Sequence, residues 1–169
     1  MARTLSQAQP GEKFLTAAKV LTAGEEELFC AMTENNLPIF LTDKAAQAKG
    51  WPGRIVPGVF TLSCSVGLME QAGLLDDVLA YMAVDELRFI APVRPGDTIQ
   101  VEVELLSKHL TKEGDKGLVH YQWTTYNQEG KPVLRAKNTC MFKVGFLEQA
   151  QAEAEAMAKA RAAASASLT

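Results

Sequence analysis

Few side chains in this sequence could move a proton near neutral pH: two histidines, three cysteines, and any carboxylate whose surroundings shift it. His109 and His120 both fall in a stretch of strand-like alternation, His109 beside the turn Lys112-Glu113-Gly114-Asp115, where ordinary sheet or surface positions account for them. Cys64 lies within an apolar stretch and reads as core rather than nucleophile, since buried thiols are common and usually inert. Glu34 is the candidate general base, because it adjoins Asn35 in a polar loop where a small shift would aim its carboxylate; a solvated loop acid is the plainer alternative. Asp43 sits where a helix cap is wanted. The main chain offers a further resource at Pro57-Gly58, where a helix begins and its amides point a positive dipole outward. A glycine there lets an oxygen come close to those donors.

The elements that must position these groups follow from pattern. Thr22 with Glu25 three residues on forms a capping box, and Leu28, Phe29 and Met32 share a face behind it, predicting a helix that ends near Thr33. Glu34-Asn35-Asn36-Leu37-Pro38 breaks that helix and makes a loop. Thr42 and Asp43 cap a short helix ending at Gly50. From Pro57 to Ala72 apolar residues surround the predicted helix, so it is expected to be central and buried, with Ser63, Ser65 and Gly67 small enough for another backbone to approach. Ile99, Val101, Val103 and Leu105 alternate with polar residues as in a half-buried strand. Arg94-Pro95-Gly96-Asp97 is turn chemistry before it, and the run from Val78 to Val93 supplies an earlier antiparallel partner. Two further strands cover about Leu118 to Tyr126 and Pro132 to Phe146, the latter with Leu134, Ala136, Cys140, Phe142 and Val144 on one parity. The expected order is helices first, then an antiparallel meander.

At 169 residues the chain fits one domain, set at 1–146, followed by an Ala/Glu-rich helical tail at 147–169. A net charge of -3 without a basic block predicts no nucleic-acid partner. Cys30, Cys64 and Cys140 are odd in number and widely spaced, which argues against a disulfide framework or a zinc site and for a reducing cytoplasm. No signal-like or membrane-length apolar run occurs, so neither export nor a membrane partner is expected. One sheet around one helix leaves an edge open, which predicts a homodimer or higher homo-oligomer.

Two segments carry a family resemblance. Gly53-Arg54-Ile55-Val56-Pro57-Gly58-Val59-Phe60-Thr61-Leu62-Ser63 and Leu87-Arg88-Phe89-Ile90-Ala91-Pro92-Val93-Arg94-Pro95-Gly96-Asp97 resemble the MaoC-like family of (R)-specific enoyl-CoA hydratases and 3-hydroxyacyl-thioester dehydratases. The likeness spans about residues 12 to 146 and implies an α+β hotdog fold, an antiparallel sheet wrapped around a long central helix. It further implies an acyl-CoA or carrier-protein thioester as ligand, no cofactor, and a thioester carbonyl held at Gly58. Pro57, Val59, Pro38 and Arg54 would contribute to substrate binding. The family's Asp-x-Asn-Pro-x-His loop, laid on Asn35 to Phe40, puts Asn35 at the aspartate, Leu37 at the asparagine and Phe40 at the histidine, with Pro38 retained. Neither Asn nor Phe titrates near neutral pH. The carrier-protein dehydratases, a second hotdog relative, place a glutamate where this chain has Ser63. The expectation is therefore an acyl-thioester-binding protein of the hydratase/dehydratase class with altered or lost catalysis, a hydro-lyase if active. The alternatives are a non-catalytic binding or assembly protein and, third, a thioesterase.

Overall fold

A computed structural model describes residues 3–112 and 114–145, together with 156, 157 and 159. The domain boundary at 146 and nearly all of the tail lie outside the described residues. The capping box forms as the sequence predicts: Glu25 N donates to Thr22 Oγ1, the Glu25 carboxylate accepts from Thr22 N at 3.0 Å, and α1 runs Ala23–Thr33. Glu34 ends it in the left-handed region at φ 56. The next segment departs from the expected loop, since Pro38 opens a four-residue helix, α2 (Pro38–Leu41). Proline is favoured at a first helical position, where its missing N–H costs nothing. Thr42 alone caps α3 (Asp43–Gln47), which stops short of Gly50. Asp43 is not the cap; its carboxylate instead accepts the Arg54 amide at 2.7 Å.

The central helix α4 spans Gly58–Gln71, with Pro57 as its N-cap. Phe60, Thr61, Ser65, Leu68 and Met69 form its buried face against the sheet, and Ser65 Oγ meets Thr125 Oγ1 on a strand at 2.8 Å. Burial on all sides does not hold: Val59 is 43% exposed and Ser63 and Glu70 are exposed, so one flank of α4 faces outward. The long strands are β3 (Val78–Phe89), β4 (Thr98–Leu110), β5 (Lys116–Asn127) and β6 (Pro132–Lys143). Short β1 (Lys13–Leu15) and β2 (Lys19–Val20) both pair with β4. Ile99, Val101, Val103 and Leu105 are fully buried, as their alternation predicts. Val144 lies past the end of β6 and is 38% exposed, so it leaves the parity assigned to it.

The sheet is antiparallel throughout, in the order β1-β4-β5-β6-β3. β4, β5 and β6 are the expected meander, but β3 pairs with β6 and not with its sequence neighbour β4. The link between β3 and β4 explains this, because it crosses the end of the sheet instead of turning back. It is tied at one end by Ile90 N to Val133 O (2.9 Å), in the middle by Val56 N to Val93 O (2.8 Å), and at the other by Gly96 N to Leu21 O (2.7 Å). Two prolines, Pro92 and Pro95, keep it extended and remove the amides a tight hairpin would use. The result is the α+β hotdog arrangement, with the core between α4 and the inner faces of β4, β5 and β6.

α1 buries an acidic side chain against the segment that leads into α4. Glu26 is 1% exposed, with Arg54 Nε 3.6 Å from its Oε2, while neither carboxylate oxygen has a hydrogen-bond partner among the described residues. Burial pushes this carboxyl up to about 6; the Arg54 guanidinium pulls it down and the Glu27 charge adds to the rise. A raised carboxyl pKa means that Glu26 favours the fold most below the unfolded value of 4.5, and that this contribution is lost as pH rises through 6. Glu26→Gln should therefore raise stability at pH 7.5 by about 1–2 kcal/mol and flatten the pH dependence between 4.5 and 6. Urea denaturation across that range checks it; a destabilised variant at pH 7.5 would show that the ion pair outweighs the burial cost.

Candidate functional site

The start of α4 faces a cleft of about 460 Å³. Its walls come from three segments: Asn35 to Phe40, Ile55 to Thr61, and Phe89 to Val93, with Val133 of β6 at the back and Trp51 at the rim. Main-chain bonds hold these walls in place, Ile55 N to Ile39 O (3.2 Å) and Val56 N to Val93 O (2.8 Å) among them. Phe60 N and Thr61 N both donate to Pro57 O, at 2.9 and 3.2 Å. Gly58 and Val59, the first two residues of the helix, are left with amides that have no acceptor within it. Those two donors and the dipole behind them are the polar feature at the helix end, suited to a carbonyl oxygen.

Gly58 packs closely under Phe89, where a larger residue would have to displace the ring. A Cβ built there would lie 2.7 Å from the ring carbons Cδ1 and Cε1 of Phe89, which covers the helix start. Of the predicted site residues, Asn35, Phe40, Gly58 and Val59 line the cleft together. Phe40 is 9% exposed and presents an apolar ring, whereas Asn35 is half-buried. Glu34, Pro38, Pro57 and Arg54 do not line it. Glu34 is exposed at the end of α1, Pro38 starts α2, and Pro57 holds the helix start through its carbonyl. Arg54 is engaged with Glu26 and with Glu27 at 3.1 Å, so its charge braces α1.

No aspartate, glutamate, histidine, lysine, arginine, cysteine or tyrosine stands among the described residues that line this cleft. His109 and His120 are elsewhere, their rings 5.0 Å apart, with His120 Nδ1 paired to Thr139 Oγ1 at 2.9 Å. Burial pushes the Cys64 thiol up to about 11, which makes it a poor nucleophile. Glu70 is exposed at the far end of α4. A second cavity of about 490 Å³ includes His109, Ser6, Asp77 and Lys108 in its lining. Its Asp77 and Lys108 are engaged by the protein itself: Asp77 accepts from Thr4 and Ser6, and Lys108 Nζ donates to Ser6 O (2.9 Å) and Ala8 O (2.8 Å). The Gly58 cleft is the better candidate, because its helix-start amides have no acceptor among the described residues.

Sequence reasoning missed Trp51, Thr61 and Phe89 as cleft residues. Phe89 and Thr61 both lie within the two segments that carry the family likeness, but only the crossing of the β3–β4 link brings the first over the second's helix. Trp51 follows a glycine turn, Gly50 at φ 87, and nothing in its spacing marks it.

A profile described as MaoC like domain matches residues 6–127. Protein MaoC of Klebsiella aerogenes is 36% identical over 95 residues, which is 56% of this chain and 28% of that protein. The chain thus aligns with little more than a quarter of that relative's length. A monoamine oxidase regulatory protein from Archaeoglobus fulgius superposes with a TM-score of 0.76 at 27% identity, covering 85% of this chain and 97% of the other. An (R)-hydratase from A. caviae involved in PHA biosynthesis shares the fold at a TM-score of 0.65 and 24% identity, over 80% of this chain and 97% of its own. A profile match over well over half of its length, on a hotdog frame with a cleft at the central helix start, shows that the chain belongs to the MaoC-like domain family.

Proposed function

We propose that the chain binds an acyl thioester in the Gly58 cleft and holds it without the acid and base that hydration requires. The observation that carries this reading is the absence of any titratable side chain among the described lining residues, next to two unpaired amides. Adding water to an enoyl thioester, or removing it, needs one group to take a proton and one to return it. At the positions where the family resemblance expects aspartate and histidine, the cleft has a neutral amide, Asn35, and an apolar ring, Phe40. What is left suits binding: main-chain donors for the thioester carbonyl, and Phe40, Val59 and Ile90 for the acyl chain. A neighbouring apolar trough shares Leu37, Ile39 and Trp51 with the cleft and offers the pantetheine arm a way out, whether coenzyme A or a carrier protein bears it. The thioester is the ligand, and no cofactor is invoked.

The biological unit under this reading is a homodimer. β3 pairs with β6 on one side only among the described residues, and Leu79, Tyr81, Met82 and Val84 along it are 40–53% exposed. An open apolar edge of this kind invites a second copy of the same strand across a two-fold axis.

Isothermal titration with butyryl-CoA should show saturable binding, while crotonyl-CoA should be hydrated no faster than in buffer. Asn35→Asp combined with Phe40→His should then gain hydration by about 100-fold or more over the parent. Strong hydration by the parent would overturn the loss of catalysis, and no binding of either thioester would remove the ligand assignment. Light scattering should give about twice the 18.3 kDa chain mass, and Met82→Lys should shift it towards that of one chain; a monomeric parent would contradict the dimer.

A further inference from the structure

Three hydroxyls of α4 allow a direct comparison. Ser63 Oγ donates to Val59 O at 2.9 Å, and Ser65 Oγ donates to Thr61 O at 2.8 Å while also meeting Thr125 Oγ1. Thr61 Oγ1 is buried and has no partner among the described residues, although Thr61 is only 2% exposed. Its usual recourse, the carbonyl four residues back, is that of Pro57, which already accepts from both Phe60 N and Thr61 N. A buried hydroxyl left without a partner is unfavourable, and such groups call for an explanation.

Thr61 lines the same cleft as Gly58. The two are three residues apart on one helix face, so their side-chain positions lie about 5 Å from each other. In an acyl thioester, an oxygen on the third carbon is roughly 3–5 Å from the carbonyl oxygen by standard bond lengths. Threonine also has two accessible rotamers in a helix, so a turn about its Cα–Cβ bond redirects the hydroxyl with no backbone movement.

The geometry points to Thr61 as the residue that sets ligand preference: its hydroxyl hydrogen-bonds an uncharged oxygen on the bound acyl chain while the Gly58 and Val59 amides hold the thioester carbonyl. This rests on the acyl-thioester reading of the cleft. It assigns a positioning and selecting role, not proton transfer, because a threonine hydroxyl does not titrate near neutral pH. The partner that Thr61 Oγ1 lacks among the described residues is supplied by the ligand, and an acyl chain without an oxygen on its third carbon leaves the hydroxyl as unpaired as before.

The test compares 3-hydroxybutyryl-CoA with butyryl-CoA, which differ in one oxygen, by titration calorimetry on the full chain. The parent should favour the hydroxylated ligand by about 5- to 10-fold, the effect of one hydrogen bond. Thr61→Val, equal in shape, should abolish that preference by weakening 3-hydroxybutyryl-CoA binding to about the affinity of butyryl-CoA, and give an unliganded Tm no lower than the parent's. Thr61→Ser should keep the preference. A Thr61→Val protein that still discriminates would overturn the proposal, as would one that melts lower and loses both ligands equally, since that is a packing role. If the parent binds neither ligand, the acyl-thioester reading falls and this inference with it; if it binds both with equal affinity, only this inference falls.

Discussion

Two main-chain amides at Gly58 and Val59, without acceptors among the described residues, are the constraint on which the architecture of this protein turns. A helix of this length leaves its first N–H groups unpaired in any protein, and most proteins give them a side-chain cap or water. Here the N-cap is Pro57, which has no side-chain acceptor to offer. Gly58 and Val59 instead line a cleft whose walls are stapled by backbone bonds to the segment before α4 and to the link after β3. Each wall therefore inherits the rigidity of a different part of the fold, and the helix dipole is presented in a fixed direction.

The crossing of the β3–β4 link is what makes this possible. Had β3 turned back to pair with β4, the end of the sheet above α4 would stand open, and Phe89 to Val93 would lie far from Gly58. Because β3 sits beyond β6, the chain must pass over the helix start to reach β4, and it deposits Phe89 on the glycine as it does so. The same detour leaves β3 as a sheet edge with its apolar residues outward. Cleft and open edge are two consequences of one topological choice.

The charges near the site serve structure more than chemistry. In a linear reading Arg54 is a candidate binding residue inside the family-like segment, and Asp43 sits where a helix cap is wanted. In space Arg54 braces the buried Glu26 of α1, and Asp43 receives the Arg54 amide. A side chain at position 53 would meet both Asp43 and Arg94, so this corner is already filled by the protein's own polar groups. The neutral cleft beside it is then a low-dielectric pocket with fixed dipoles, a place where a carbonyl is favoured and an ionised group is not.

Most of the frame was readable from local pattern. The capping box of α1, the core-facing alternation of β4, the parity of β6 as far as Phe142, and the proline–glycine start of α4 are each specified by residues within a few positions of one another, where sterics and hydrogen bonding act directly. The apolar run from Val78 onward announced a strand but not its partner, because pairing depends on where the link is anchored, through Val93 and Gly96, to residues far away in sequence. The neutral character of the Asn35 to Phe40 loop was likewise evident from residue types alone. Which residues close the cleft, how closely Phe89 packs on Gly58, and why Thr61 alone among the α4 hydroxyls has no partner among the described residues were decided only in three dimensions, since each depends on non-local packing or on an acceptor already occupied in the folded chain.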